Sequence, residues 1–418
     1  LKRASVIGKV FFEGALEAVT PPASRSSLPG LLVSLERRGL LRSPQGARAS
    51  APRQLGFRTQ ALRDAAYGSM PRSGRGSAHR AVAVWLDANL PLSNHTEVAA
   101  HFEAGGELAL AQPHFVAAAR EYAAIYAHAE AVDFYQRALR GPAEENPGAN
   151  ADTRRELATV LSHMSRFEES LAALDEVTKE ARAAGGPQLP MRLAWAESQR
   201  ANVLRDCGRL DDARAVLDSA LGTLESRDNL PCLILLGQRA FIRAAKGDGA
   251  GALADCNEGL AIAPRIEDRG EGWHFASVRL NNSLGTLHMR AGRIDEAQRC
   301  FEAALALCSG TRNPVARWAV TVHLGNIAYD RKDYRLAASY FERALDEARK
   351  SQRKIKIATC LSNLGQARLG AGELPGAIEC LEEACALAQE GGMRDIHSDS
   401  ARALADLGRP FACSRCGA

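Results

Sequence analysis

Cysteine, histidine and amide side chains are the groups of this sequence that could do chemistry, and their spacing limits which chemistry that is. The chain has ten cysteines and ten histidines. Cys413 and Cys416 form one C-x-x-C pair, a spacing used for metal binding or disulfide exchange. No second pair stands at zinc spacing. We therefore interpret this pair as part of a polar C-terminal tail, with a metal or redox site as the alternative.

The remaining nucleophiles and metal ligands form no catalytic pattern. The sequence lacks G-x-x-x-x-G-K-[S/T], G-x-G-x-x-G, H-E-x-x-H and G-x-S-x-G. His288 and His323 stand at helical packing positions, and Cys256, Cys300 and Cys380 fall where a free cysteine acts as a small apolar residue. We predict no catalytic, cofactor-binding or metal-binding residue, and hence no enzyme.

A third set of polar side chains is predicted to bind a partner. Its members recur on helices that should face the inner, concave side of an array: Gln199, Asn202, Arg205, Arg279, Asn282, Asn326, Asn363 and Gln366. Such amides can hydrogen-bond to the backbone of an extended peptide without selecting its sequence, and a solvated surface is the alternative interpretation. A dedicated carboxylate clamp would need regularly placed Lys/Arg pairs beside the asparagines, and that regularity is absent.

The elements that position these residues follow from an internal repeat of about forty residues. It is clearest in NSLGTLHMRAGRIDEAQRCFEAAL (282–305), HLGNIAYDRKDYRLAASYFERAL (323–345) and NLGQARLGAGELPGAIECLEEAC (363–385). Degenerate copies centre on Ala131, Ser170, Ala213 and Ala252. In each clear copy an apolar helix with Leu-Gly ends at a turn, and a second helix begins with a small residue. Neither helix buries its apolar stripe alone, so stacking is predicted.

These segments resemble the tetratricopeptide repeat, with Leu-Gly in the first helix and Ala-x3-Phe-x2-Ala in the second. The resemblance implies an all-α fold: a right-handed superhelical solenoid of about seven repeats that binds proteins or peptides. The longer period is similar to that of the branch found in signalling and motor-adaptor proteins. Composition agrees, because aromatic residues make up only 6% of the chain and no apolar run is long enough to span a membrane.

The first eighty residues differ in charge and pattern. They hold 14 Lys/Arg against 4 Asp/Glu, a balance of +10 in a chain whose net charge is +4. Apolar residues from Val10 to Val19 predict one helix and Leu28–Leu35 another, followed by strands at 39–42 and 55–58. Helix, helix and hairpin is a winged-helix arrangement, in which Arg37, Arg38 and Arg42 could contact DNA phosphates.

A second resemblance covers this region. The segments LKRASVIGKVFFEGAL, LERRGLL and FRTQALRDAAYGSMPRSGRGSAHRAVAVWL are similar to a module of bacterial signal-transduction (STAND-like) ATPases. There, a winged helix follows a P-loop ATPase domain and precedes tetratricopeptide repeats, and the parent can carry a kinase or nucleotide cyclase domain. The resemblance implies that the winged helix docks onto the ATPase domain. Because the chain begins with Leu1, we expect it to be the C-terminal part of a longer protein.

Together these patterns predict four segments: a winged-helix module (1–66), a helical linker (67–114), the solenoid (115–390), and a capping helix with a disordered tail (391–418). The predicted function is a protein-interaction and sensor module of a signalling ATPase. A transcriptional regulator whose winged helix binds DNA is the alternative, with DNA the less favoured partner. Free thiols and the lack of a signal peptide indicate the cytoplasm.

Overall fold

A computed structural model describes residues 1–43, 53–90, 94–141, 147–310, 314–350 and 354–409. The chain divides into two compact units, Leu1–Ala173 and Leu174–Ala418. Within the described residues no helix is long and apolar enough to cross a bilayer.

The first unit opens with short helices around a three-stranded antiparallel sheet. The helices are α1 (Lys2–Ile7), α2 (Glu13–Ala18), α3 (Pro22–Arg25), α4 (Leu28–Arg37) and α5 (Gln60–Gly68). The strands are β1 (Val10–Phe12), β2 (Leu41–Arg42) and β3 (Gln54–Phe57), with β3 in the centre of the sheet. The predicted second helix and both predicted strands are therefore present.

The predicted helix from Val10 to Val19 is wrong in its first third, which forms β1. Val10 is 49% exposed and Phe11 is 1% exposed, the alternation of a strand with one buried face. Phe11 pairs with Leu55 of β3 and packs on the ring of Phe57, with centroids 5.8 Å apart. This cross-strand pairing overrides the local helical pattern, and the helix begins only at Glu13.

Helices α6 to α11 follow the sheet in sequence. Their bounds are α6 (Arg72–Asn89), α7 (His95–Ala104), α8 (Leu108–Ala124), α9 (His128–Ala138), α10 (Pro147–His163) and α11 (Phe167–Ala184). Adjacent helices α7, α8 and α9 pack on one another. In the next pair, the Ser170 hydroxyl of α11 donates to the Ala158 carbonyl of α10 at 2.7 Å, so Ser170 is buried at the repeat position that other copies give to alanine.

A chain of buried hydrogen bonds ties four helices of the first unit together. The Tyr67 hydroxyl lies 3.0 Å from His79 Nε2, His79 Nδ1 lies 2.9 Å from His101 Nδ1, and His101 Nε2 lies 3.2 Å from the Ile7 carbonyl oxygen. Because that carbonyl can only accept, His101 Nε2 must donate, which leaves its Nδ1 to accept from His79. With both imidazoles neutral, every nitrogen of the two histidine rings then has a hydrogen-bond partner.

The second unit consists of helices in consecutive pairs. They are α12 (Leu189–Asp206), α13 (Leu210–Gly222), α14 (Leu230–Lys246), α15 (Gly249–Ile262), α16 (Glu271–Arg290), α17 (Ile294–Leu307), α18 (Pro314–Asp330), α19 (Tyr334–Lys350), α20 (Lys354–Ala371), α21 (Leu374–Glu390) and α22 (Arg394–Asp406). Short 3-10 helices occupy Ala263–Arg265 and Cys308–Gly310. The predicted all-α solenoid of helical hairpins is confirmed. The four-segment division stays a prediction.

Small residues set the spacing of the two helices in a pair. The repeat alanines are 0% exposed: Ala213, Ala252, Ala297, Ala337 and Ala377. On the opposing helices, a Cβ added to Gly285 would lie 2.7 Å from the Phe301 ring, and one added to Gly325 would lie 2.6 Å from the Phe341 ring. Real Cβ atoms do not approach so closely, so the packed ring excludes larger side chains at this contact.

The turn inside each pair uses one residue in the left-handed conformation. Glycine occupies it at Gly208, Gly247, Gly292 and Gly372, whereas Lys332 takes the same place between α18 and α19 with a φ of 64°. Glycine enters this conformation without the steric cost that a Cβ brings. These glycines therefore end the first helix for a conformational reason.

We predict that Gly325→Ala destabilises the second unit, because the new methyl group would displace the Phe341 ring. The expected cost is about 1–3 kcal/mol, typical of overpacking. Gly222→Ala is the matched control, since no atom lies within 4 Å of the Cβ it would add, and its helix propensity should leave stability equal or slightly higher. Urea unfolding followed by far-UV circular dichroism measures both; equal midpoints for the two variants would refute the close contact.

The histidine chain predicts acid sensitivity of the first unit. Burial, then the charges of His101, Arg63 and Arg75, lower the pKa of His79 from 6.5 to about 4. Burial and then Arg63 lower that of His101 to about 4, against an opposing hydrogen bond to Ile7. Unfolded histidines bind protons near pH 6.5, so stability is complete above that pH and falls as the pH drops towards 4.

Lowering the pH from 7 to 5 should lower the free energy of unfolding of the first unit by about 2 kcal/mol, because one histidine of this pair then binds a proton in the unfolded state but not in the folded state. The measurement is hydrogen exchange of amides in α7 at the two pH values, corrected for intrinsic exchange. His101→Gln keeps a donor for the Ile7 carbonyl and removes the titrating group, so its pH dependence should be weaker. His274→Gln, in the second unit, is the control. Identical pH dependence in all three proteins would contradict the assignment.

Candidate functional site

The eight predicted partner-binding residues all lie on the first helices of pairs in the second unit. Their positions are Gln199, Asn202 and Arg205 on α12, Arg279 and Asn282 on α16, Asn326 on α18, and Asn363 and Gln366 on α20. All eight are partly exposed. They divide into a connected group on α12 and α16 and separate positions on α18 and α20.

Asn202 connects three successive first helices. Its Oδ1 accepts from Gln238 Nε2 of α14 at 2.8 Å and from Arg279 Nη2 of α16 at 3.2 Å. Gln238 is fully buried, and its own Oε1 has no hydrogen-bond partner among the described residues. The carbonyl oxygen of Asn202 is thus already used within the protein.

Two arginines from different helices lie on one aromatic ring. The guanidinium carbons of Arg205 and Arg279 are 5.0 and 4.7 Å from the centroid of the Phe241 ring, and that of Arg279 is 4.9 Å from the Phe275 centroid. Each distance is that of a cation–π contact. We call Arg205, Phe241, Phe275 and Arg279 the arginine–phenylalanine cluster.

A tryptophan extends the aromatic surface of this cluster. Trp195 of α12 and Phe275 of α16 have ring centroids 5.2 Å apart. A Cβ added to Gly272 would lie 3.4 Å from Trp195 Cζ2. Both aromatic rings are partly exposed. Three partly exposed aromatic side chains, including Phe241, therefore stand beside two guanidinium groups on neighbouring first helices.

The charge of the cluster is only partly balanced. Arg205 forms an ion pair with its neighbour Asp206, and its side chain is 28% exposed. Arg279 has no carboxylate within ion-pair distance among the described residues. Burial, and next the charge of Arg205, lower the pKa of Arg279 to about 9, with Asp206 acting in the opposite direction. Arg279 is therefore a cation at neutral pH in surroundings that disfavour its charge.

The other predicted residues are arranged differently. Asn282 Oδ1 is buried without a hydrogen-bond partner among the described residues. Asn326 and Asn363 are partly exposed, and their side chains form no hydrogen bond with any residue that the structure describes. Gln366 lines a surface cavity of about 550 Å³ together with Tyr329 and Arg402. The structure does not join these amides to the arginine–phenylalanine cluster.

Sequence reasoning missed Gln238, Phe241, Phe275 and Trp195. One signal was present: Leu236-Gly237 stands at the Leu-Gly position of its repeat, and Gln238 follows it as Asn326 follows Gly325. A Cβ on Gly237 would lie 3.0 Å from the Ala276 carbonyl oxygen, so this glycine sits at a close contact between α14 and α16. The aromatic residues carry no comparable sequence signal.

The histidines and cysteines considered as catalytic or metal ligands are packed inside the array or paired locally. His323 stacks on Phe301, with centroids 4.7 Å apart, and burial lowers its pKa. Burial raises the pKa of Cys256 to about 12, which keeps a thiol protonated and unreactive. No group of three or more metal-ligating side chains occurs in the described ranges. Cys413 and Cys416 lie outside them.

The comparisons with known proteins agree with the repeat pattern. Two tetratricopeptide-repeat family models match residues 278–310 and 315–390. No curated protein matches the chain significantly.

Solved structures with a similar fold have low sequence identity to this chain. A Signal Transduction ATPase with Numerous Domains (STAND) protein with a tetratricopeptide repeat sensor from Pyrococcus horikoshii is 13% identical, with a TM-score of 0.49 over 98% of this chain and 64% of that chain. The present chain thus spans less than two thirds of that protein's length.

Two further structures match smaller parts. BtubC from P. vanneervenii is 18% identical, with a TM-score of 0.42 over 60% of this chain and 96% of that one. A tetratricopeptide repeat protein from Parabacteroides merdae is 13% identical, with a TM-score of 0.42 over 69% and 98%. On the match to the two family models, residues 278–310 and 315–390 are tetratricopeptide repeats, in a chain whose fold is all-α and built from paired helices.

Proposed function

We propose that this chain is a protein-interaction and sensor module whose first helices bind a protein or peptide. The observation that carries the proposal is the partly exposed surface formed by Trp195 and the arginine–phenylalanine cluster. Tryptophan and arginine are enriched among residues that dominate binding energy. Stacked repeats provide extended concave binding surfaces, and all residues of this surface lie on first helices of pairs.

The amides of the later repeats extend this surface in the proposal. Asn326 and Asn363 occupy first helices at neighbouring repeats and retain unused donors and acceptors. A peptide lying across α18 and α20 could receive hydrogen bonds from both through its backbone. These hydrogen bonds would give affinity with little selection of the peptide sequence. The aromatic rings and arginines of α12, α14 and α16 would supply the selectivity.

We further propose that the N-terminal segment is a winged-helix module of a multidomain signalling ATPase. The order of α4, β2 and β3 and the three-stranded sheet support this proposal. Leu31 and Val33 of α4 are 55% and 41% exposed, an apolar surface suited to docking on another protein domain. Through such docking, the module would signal to an upstream ATPase domain whether a partner is bound to the repeats. The full-length protein in this proposal can also carry a kinase or nucleotide cyclase domain.

DNA binding is the alternative role for this module. Arg37, Arg38 and Arg42 are exposed and could contact phosphates. The exposed leucine and valine on α4 disfavour this role, because a helix that reads bases needs polar side chains there. The eight cysteines in the described ranges are free thiols, which supports a cytoplasmic location for either function.

We predict that Asn326→Ala combined with Asn363→Ala weakens peptide binding with little change in stability. The probe is a set of dodecapeptides selected by ribosome display against the purified chain. Loss of one or two hydrogen bonds should weaken binding by about tenfold or more, while surface substitutions change stability by less than about 0.5 kcal/mol. Asn257→Ala, an exposed amide on second helix α15, is the matched control.

Two results would contradict the proposed function. One is the failure of the chain to select any peptide. The other combines two observations. The double variant retains peptide binding, and the parent chain binds duplex DNA with an affinity that falls steeply with salt and is lost in the triple Arg37→Ala, Arg38→Ala, Arg42→Ala variant. That second result would favour the DNA-binding regulator.

A further inference from the structure

The arginine–phenylalanine cluster brings two cations together with one carboxylate. Arg205 and Arg279 contact the same Phe241 ring from different helices. Among the described residues, only Arg205 has an ion-pair partner, Asp206. Elsewhere in the second unit, half-buried arginines that lie together share carboxylates: Asp255 accepts from both Arg239 and Arg243. The cluster therefore carries an excess positive charge that the described part of the chain does not neutralise.

The guanidinium group of Arg279 is held in position, but most of its hydrogen-bond donors are unused among the described residues. Its contacts with Phe241 and Phe275 hold the guanidinium group in place. Its one hydrogen bond within the described ranges goes to a neutral amide oxygen, that of Asn202. A guanidinium group carries five N–H donors in a fork that matches a carboxylate. Most of those donors remain for another acceptor. Because the group is already ordered, little side-chain entropy is lost when such an acceptor binds.

The surroundings strengthen attraction to an anion. Neighbouring aromatic rings exclude water from the sides of the guanidinium, and a charge in such surroundings interacts more strongly than one in bulk water. The lowered pKa of Arg279 has the same origin, and a bound anion would reverse it. A neutral ligand would leave the excess charge in place.

We infer that the cluster is a recognition site for a carboxylate of the partner peptide, bound by the guanidinium group of Arg279, with Arg205 adding to the local positive charge. This inference rests on the proposed function and adds the chemistry of the occupant. The acceptor is either an Asp or Glu side chain or the C-terminal carboxylate of the peptide. The adjacent Trp195 and Phe275 rings suit an apolar residue next to that carboxylate. The irregular spacing of the two arginines across α12 and α16 explains why no clamp pattern is visible in the sequence.

The test uses a synthetic library of random dodecapeptides attached to beads through their N-termini, so that the C-termini are free, and selected for binding to the whole chain. Each selected peptide is then synthesised in three forms: the native peptide, one with Asp and Glu changed to Asn and Gln, and one amidated at its C-terminus. Affinities are measured by fluorescence polarisation for the parent chain and for Arg279→Gln and Arg205→Gln. Arg265→Gln is the matched control, because Arg265 is 64% exposed and paired with Asp228 on the surface.

The expected result is a loss of about tenfold or more when either Arg279 or the carboxylate is neutralised. In a double-mutant cycle, removing the peptide carboxylate should have little further effect on Arg279→Gln. The form that loses affinity, amide-substituted or amidated, identifies the side chain or the C-terminus as the source. Arg265→Gln should bind like the parent, and thermal melts verify that the variants fold.

Peptides that bind independently of both their carboxylates and Arg279 would overturn this inference and leave the proposed function intact. Selection of no peptide would overturn both. Arg279→Lys provides an additional check, because it keeps the charge and removes the fork. It should retain part of the affinity if a carboxylate is bound, and it should equal Arg279→Gln if Arg279 only positions its neighbours.

Discussion

The close approach of the two helices in a pair is the constraint on which the rest of this structure depends. A glycine of the first helix faces a ring or leucine of the second: Gly285 faces Phe301, Gly325 faces Phe341, and an added Cβ on Gly365 would lie 2.6 Å from Leu381. The helices can approach this closely only where a side chain is missing. Packing therefore fixes which residues of the first helix point inward and, by elimination, which remain for binding.

The same constraint explains how much could be predicted from the sequence. The buried alanines repeat because each faces the same contact, so their spacing located the helix pairs of the array. Local patterns failed where a distant partner decides the structure. Val10–Phe12 begins a segment with helical apolar spacing, but these three residues pair with Gln54–Gly56, more than forty positions away.

The candidate site shows the same limit. The sequence pattern placed Asn202, Arg205 and Arg279 on first helices but did not show which groups their side chains contact. In the structure the carbonyl oxygen of Asn202 joins Gln238 and Arg279, and the rings of Phe241 and Phe275 hold the arginines. An aromatic residue that supports an arginine has the same sequence pattern as one in the core. Only the packing of α12, α14 and α16 distinguishes the two.

Photo-crosslinking tests most directly the central claim that partners bind to the first helices. Benzoylphenylalanine would replace Gln199 on α12 in one protein and Glu258 on α15, a second helix, in another, and each would be irradiated with a selected peptide. If partners bind to the first helices, a crosslink forms at position 199 and none forms at position 258. A crosslink at position 258, or at neither position while the peptide still binds, would contradict that claim.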